Sequence, residues 1–328
     1  MNKSLMRFFV AAVLCVSVCS SWAQTAPIRL RFAHPHTVID PLHIAALDFA
    51  KRVKAGTGGG IEIQVYPNSQ LGNDNTVIAG VRGGTIDFAA TGNPFFTGIV
   101  PKLNVLDLPY QFDNAQQVAR ILDGPVGRSL LDELGAHQMK GLAFWEVGFR
   151  SLANSRRPVL KAEDIKGLKI RTTPNPAHIK AFQLLGAAPQ PMPFAEVFSA
   201  LESKAIDGHE NPPTLMFSSK MYEVQKYLSL TKHAYTALIL VMNKARFESL
   251  KPEFQKILLQ ESLNAAVLQR DMNAKGEMVA LAEMRKLGMQ INEKPNVESI
   301  RAIVKDETRK IFIEKNGDEL LKKIDALR

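Results

Sequence analysis

Cysteine is almost missing from this chain. Of 328 residues, Cys15 and Cys19 alone carry a thiol, and both lie in an apolar stretch near the start. Lys3 and Arg7 precede that stretch, Phe8 to Cys19 is broken only by Ser17, and Ser21-Trp22-Ala23 places small residues at −3 and −1. This is the pattern of a secretory signal cleaved after about Ala23, too short for a membrane span. A lipoprotein start at Cys19 is disfavoured by the bulk of Val18. Without residues 1–23 the chain has no thiol, so disulfides and thiolate metal sites are excluded and the core alone must hold the fold.

Other absences narrow the function. Two tryptophans and 7% aromatics leave no stacking platform, and the positive charge is not clustered. With Lys3 and Arg7 removed from the 41 basic residues, 39 face 32 acidic ones, a net charge of +7. Lys and Arg alternate with Asp and Glu through the C-terminal third, so a nucleic-acid partner is not expected. A mild bias toward anionic ligands is. The most apolar later run, Tyr235 to Met242, is too short to cross a bilayer. There is no Gly-x-Ser-x-Gly elbow and no phosphate-binding Gly-x4-Gly-Lys. Gly56-Thr57-Gly58-Gly59-Gly60 has the wrong spacing for a dinucleotide loop and follows a helix instead of opening one. His34, His36 and His43 have neither a His-Glu-x-x-His arrangement nor a carboxylate cluster, so neither a metal nor a cofactor is expected.

What is present reads as α/β. From Gln24 to Arg328 there are 305 residues, more than one core usually serves. Ile28, Leu30 and Phe32 alternate as a strand. Pro41 opens a helix that ends at Gly56, and Ile61, Ile63 and Val65 form a second strand. A helix around Val77 to Val81 and a strand through Ile86 and Phe88 complete a β-α-β-α-β unit. Ala115 to Leu122 and Val126 to Leu134 read as helices, and Gly141 to Trp145 as a strand. Val77 to Arg82, Ile86-Asp87 and Asn93-Pro94 are then echoed by Val197 to Glu202, Ile206-Asp207 and Asn211-Pro212. The echo is either a structural duplication or chance. Two more strands are expected near Tyr227 to Leu230 and Thr236 to Met242. From Pro252 to about Leu287 the pattern stays helical, as one helix bent near Gly276 or as two.

The stretch from Gly167 to Pro212 carries the strongest site signal. Leu168 to Arg171 reads as a short strand, Asn175 as an N-cap, Pro176 as the first helical residue and Gly186 as a stop. Arg171 thus stands where an open α/β sheet places its ligands, beside a helix N-terminus that favours anions. Its planar fork suits a carboxylate. Arg150, at another strand end, is either a second ligand contact or half of a buried salt bridge. Phe194 is either core or a fixed wall after its prolines. Asn211 is a turn residue or a donor to the ligand, and His34 a polar strand end or part of the cleft.

Gly-Leu-Lys-Ile-Arg (167–171), Pro-Met-Pro-Phe-Ala-Glu-Val-Phe (191–198) and Ile-Asp-Gly-His-Glu-Asn-Pro (206–212) resemble the signature of the substrate-binding proteins of TRAP transporters, the family named for C4-dicarboxylate binding. Tyr-Pro-Asn-Ser-Gln-Leu-Gly (66–72) and Asn-Ser-Arg-Arg-Pro (154–158) agree. The resemblance implies a two-lobe periplasmic binding protein with hinge strands and a long helix spanning both lobes. Lobe I would take 24–148 and about 237–276, lobe II 149–236 and about 277–328. It implies a monomer that hands an organic acid to the small and large membrane subunits of an ion-driven permease. By position it makes Arg171 the carboxylate anchor, Arg150 the second arginine, Asn211 its neighbour and Phe194 the wall. His34, Asn73, Thr91 and Asn175 follow by rough position. Thr91 with Phe88, Phe95 and Phe96 argues against a sialic acid and for a smaller monocarboxylate, such as a hydroxy acid. The rival readings are a secreted enzyme acting on a sugar or hydroxy acid, which lacks a nucleophile–base pair, and a binding protein serving a membrane sensor.

Overall fold

The computed structural model describes residues 26–327; the expected signal segment lies outside them. Their strands are β1 (Ile28–Ala33), β2 (Ile61–Tyr66), β3 (Phe88–Gly92), β4 (Met139–Asn154), β5 (Lys169–Thr172), β6 (Ala188–Pro191), β7 (Gly208–Asn211), β8 (Tyr227–Asn243) and β9 (Gln290–Asn292). They form one sheet in the order β2-β1-β3-β8-β4-β7-β5-β6, with β9 beside β8. The order reads the same from either edge. In each half two parallel neighbours, β1 with β2 and β3, or β5 with β6 and β7, meet a long strand running antiparallel to them.

That symmetry explains the sequence echo as a duplication. Ile86 and Ile206 each donate a backbone N–H to the residue six before, Gly80 or Ala200. Asp87 then accepts the N–H of Arg31 on β1 at 2.7 Å, and Asp207 accepts that of Lys169 on β5 at 2.8 Å. The Ile-Asp pairs, expected to lie in strands, therefore fall outside β3 and β7. They sit one step earlier, where the carboxylate satisfies a backbone donor of the neighbouring strand.

The two halves share β4 and β8, and here the short strands expected from sequence need correcting. Gly141 to Trp145 belongs to a strand of 16 residues, and Tyr227 to Met242 lies within a single strand of 17, Tyr227–Asn243. They pair antiparallel from Met139↔Asn243 to Asn154↔Tyr227, with register shifts at Gly141/Ala143, Glu146/Gly148 and Arg150/Leu152. Such bulges let a strand keep pairing while it bends. Along β8 alternate residues face opposite cores: Leu238, Leu240 and Met242 one way, Ala237, Ile239 and Val241 the other. In the second half Leu152 and Ile170 face one core while Ala153 and Leu228 face the other. Helices thus cover both faces, and the strands are apolar on both.

One unbroken helix, Pro252–Lys286, follows β8. At 1.5 Å per residue it is roughly 52 Å long. Leu258, Ala265 and Ala266 join a first-half core, whereas Leu281 and Met284 join a second-half core. It is tied to the crossing strand at the Glu146 bulge. Gln269 accepts the Glu146 N–H at 2.9 Å and donates to the Glu146 carbonyl at 2.6 Å, and Arg270 donates to the Phe144 carbonyl at 2.7 Å. A side-chain amide replaces the ladder bonds that the bulge gives up. The final helices return the chain: Ile300 and Val304 pack in a second-half core, Phe312, Leu321 and Ile324 in a first-half core. These helices thus pack against cores of both halves.

The duplicated aspartates give a stability test. Asp87→Ala strands the part-buried Arg31 N–H and should cost about 1–3 kcal/mol. Asp207→Ala should cost less, because the Lys169 N–H can turn to water. Urea unfolding midpoints of the two variants check the order.

Candidate ligand-binding site

The ends of β3, β5 and β7 and the middle of β4 and β8 converge on a tight space between the halves of about 30 Å³. Pro35, His36, Asp74 and Phe95 line it from the first half; Arg171, Thr173, Phe194, Asn211 and Leu215 line it from the second; Val147, Arg150 and Thr236 belong to the crossing strands. A wider basin on the second half, about 680 Å³, has no buried unpaired charge.

Local sequence explains the placement. β5 ends as Pro174 and Pro176 approach, and Asn175 caps the next helix by accepting the Ala177 N–H at 2.7 Å. Arg171 is thereby fixed on the last turn-free stretch before that helix. β7 stops at Asn211 because Pro212 cannot continue the ladder. Asn73 caps the helix Asp74–Gly83, and Asp74, its first residue, points into the space.

The two arginines differ in one decisive respect. Arg150 is 2% exposed and fully matched. Its Nε and Nη2 fork meets the Glu210 carboxylate, with Nη2 to Oε1 at 2.8 Å, and Nη2 also reaches Asn211 Oδ1 at 2.9 Å. Burial would raise the Glu210 pKa, but Arg150 together with His233 and His178 outweighs it and holds the carboxyl well below its ordinary value. Arg171, 1% exposed, has no carboxylate within ion-pair distance among the described residues. Its Nε and Nη2 both donate to the Met192 carbonyl, at 3.1 and 2.7 Å. Burial, with Arg150 as a second cation nearby, pushes the Arg171 pKa down to about 10. His209, opposite Arg171 on β7, is driven down to about 3 by burial and then by Arg171. It is therefore neutral, and its Nδ1 lies 3.2 Å from Asn211 Nδ2.

Of the eight residues expected from sequence, Arg171, Arg150, Asn211 and Phe194 line the space. The other four stand behind it. Thr91 donates its hydroxyl to Asp74, and Asn73 caps the Asp74 helix. Asn175 Nδ2 donates to Asp107 Oδ2 at 2.7 Å. His34 is buried with Nε2 3.1 Å from His43 Nδ1. Phe88 and Phe96 are core residues, and only Phe95 of that trio reaches the space. Sequence reading missed Asp74, His36 and Thr173. The signal for Asp74 was available, since an acid just after a cap residue at a strand-to-helix turn faces the same cleft.

The halves are closed on one another. Across the space, Phe194 N–H donates to Asp74 Oδ2 at 3.1 Å, and Ser218 Oγ donates to Asp40 Oδ2 at 2.7 Å. Among the described residues no group of His, Cys, Asp or Glu is arranged to hold a metal, and no helix is long and apolar enough to cross a membrane.

Residues 32–315 match the bacterial extracellular solute-binding protein family 7, DctP. The chain belongs to that family. Its members are binding proteins, not enzymes, and the resemblance read from the three motifs is correct. The 2,3-diketo-L-gulonate-binding periplasmic protein of Escherichia coli is 39% identical over 98% of this chain and 97% of its own length. Among solved structures, a TRAP periplasmic solute-binding protein of a Polaromonas species bound to D-erythronate is 33% identical, with a TM-score of 0.89 over 91% of this chain and 98% of that one. The galactonate complex of a sugar-acid-binding protein from Advenella mimigardefordensis is 32% identical, with a TM-score of 0.88 over 92% and 99%. The two-half α/β fold with its long shared helix is the TRAP periplasmic binding-protein fold.

Two variants test the electrostatics. Arg150→Ala leaves Glu210 buried without its partner and should destabilise the fold by about 3–5 kcal/mol, while Arg150→Met with Glu210→Gln should recover much of that; urea unfolding of both decides it. His34 is held at about 3 by burial and then by His36 and His43. Between pH 6.5 and 3 the unfolded chain takes up a proton that the folded one refuses, so stability falls on acidification. Taking wild type from pH 7 to 5 should cost about 2 kcal/mol more than it costs His34→Gln. Equal losses in paired denaturation curves would contradict the assignment.

Proposed function

We propose that the protein captures a small organic carboxylate, with Arg171 as its anchor. The observation that carries this is a fully buried guanidinium without a counter-charge, beside an equally buried one that has its own. An uncompensated cation in a dry site is costly, and a ligand carboxylate would remove that cost. Met192 takes the Nε/Nη2 edge of the guanidinium, which leaves the Nη1/Nη2 edge for a two-point contact. Asn211, tied by its oxygen to Arg150, has amide hydrogen to spare for the same carboxylate, and Phe194 walls the ligand.

The ligand is a hydroxy or sugar acid with one carboxylate. The named ligands of the relatives described above have this form, and the site holds one free arginine. Asp74, His36 and Thr173 supply the polar contacts that hydroxyl groups need. The protein is exported, is cleaved after about Ala23, works as a monomer in the periplasm, and delivers the acid to the two membrane subunits of a TRAP permease. Lobe I is 24–148 with about 237–276 and lobe II is 149–236 with about 277–328, the last helices acting as a strap across both.

Calorimetric titration with D-erythronate and galactonate tests the anchor. Arg171→Ala should lose about 2–5 kcal/mol, on the order of 30-fold to several-thousand-fold in affinity, with a melting temperature at or above wild type. Arg171→Lys keeps the charge without the fork and should recover only part. Binding within threefold of wild type in Arg171→Ala would refute the anchor.

A further inference from the structure

Three side chains beside the ligand space are joined in a way that binding alone does not require. Asp40 is buried between the end of β1 and the helix Pro41–Gly56. Its Oδ1 accepts the Leu42 N–H and faces His36 Nδ1, each at 2.9 Å. Its Oδ2 accepts the hydroxyl of Ser218 from the other half at 2.7 Å. The Ser218 carbonyl in turn accepts the Thr37 hydroxyl at 3.1 Å. One residue of the second half thus makes two hydrogen bonds across the cleft, both to the short segment between β1 and its helix.

We propose that Ser218 and Asp40 form a latch that holds the two halves closed, with His36 as the residue that positions Asp40. Ser218 does not line the ligand space, whereas His36 does, and so does Leu215 one turn before Ser218 in the helix Pro213–Ser218. The latch therefore acts beside the ligand without touching it. Both partners also have an alternative when the cleft opens. Ser218 Oγ lies 3.3 Å from the Leu215 carbonyl of its own helix, and Asp40 keeps its cap bond to Leu42 and its bond to His36. A hydrogen bond whose partners are satisfied in both states biases closure modestly, because opening strands no buried group. It differs in this from the Arg171 contact, which exists only with ligand.

The latch biases closure with or without ligand, so its kinetic mark is on release. Association begins from the open form and does not meet the latch, whereas dissociation must break it. Removing the Ser218 hydroxyl should speed dissociation about tenfold and leave association within about twofold, matching one charge-assisted hydrogen bond. This second half of the test rests on the carboxylate reading; the first half, below, does not.

Protein purified from the periplasm, with Leu47→Cys and Glu223→Cys as the labelling sites on opposite halves, would carry paired nitroxides. Distance distributions by pulsed electron resonance would be taken without ligand, and stopped-flow release would be measured with D-erythronate. Ser218→Ala should shift the distribution to longer distances and speed release. Ser218→Thr, which keeps a hydroxyl, should restore both. An unchanged distribution in ligand-free Ser218→Ala overturns the latch, as does slower association with unchanged release. If wild type and Arg171→Ala ignore the acid alike, the carboxylate reading fails and the ligand-free distances still judge the latch.

Discussion

The pairing of two long strands is the constraint on which the rest depends. β4 and β8 hydrogen-bond along almost their whole length, and every other strand is placed by its distance from them. Each half adds the same three-strand unit to one end of this ladder. The ladder is continuous, so the halves cannot separate. Its bulges at Glu146/Gly148 and Arg150/Leu152 give it places to flex. Gly148 sits at φ +118°, a conformation that a side chain would resist. A sheet that must both join and bend needs irregularity at its middle, and these residues provide it.

The ligand space lies at that same irregularity, which ties electrostatics to mechanics. Arg150 and Thr236 are residues of the crossing strands, and Glu210 and Asn211 end the strand beside them. The Arg150–Glu210 pair is matched within the protein, so it rigidifies the floor of the cleft whatever lies above it. Arg171 is not matched, so its environment improves only when an anion arrives. One arginine builds the site, and its neighbour is the one we propose for the ligand. The long helix supports the arrangement from behind: Asn273 donates to the Glu146 carbonyl at 3.2 Å, and Trp145 donates to the Ser262 carbonyl at 2.9 Å.

Much of this was legible in the sequence, for local reasons. The cap at Asn175 and the stop at Gly186 depend on a few adjacent residues, alternation along β1 and β2 depends on burial of one face, and the continuous apolar run of β8 on burial of both. What was lost depends on distant partners. Gly148 and the polar stretch around Thr231 to His233 look like breaks, yet the partner strand carries the chain through them, so two long strands read as several short ones. β6, with Pro189 and Pro191, has no strand pattern of its own and exists because β5 offers it an edge. At the site, Arg171 could be placed beside the space because a strand end and a capped helix are adjacent in sequence. Arg150 stayed ambiguous because its partner Glu210 is 60 residues away.

The four expected residues that stand behind the space follow the same logic one step out. Thr91 and Asn73 both act on Asp74, one through its carboxylate and one through the helix that carries it. Asn175 crosses to Asp107, which also accepts the Thr236 hydroxyl at 3.0 Å. Thr91 and Asn175 are polar residues in places where only a specific partner justifies burial, and sequence position alone does not distinguish a ligand from a neighbouring carboxylate as that partner. The distinction lies in the accounting of donors and charges. Where the protein supplies an acceptor the residue belongs to the frame, and where a buried charge is left over it belongs to the ligand. By that criterion Arg150, Thr91 and Asn175 have their acceptors within the protein, and Arg171 is the buried guanidinium without a carboxylate partner among the described residues, which is why we propose it as the anchor.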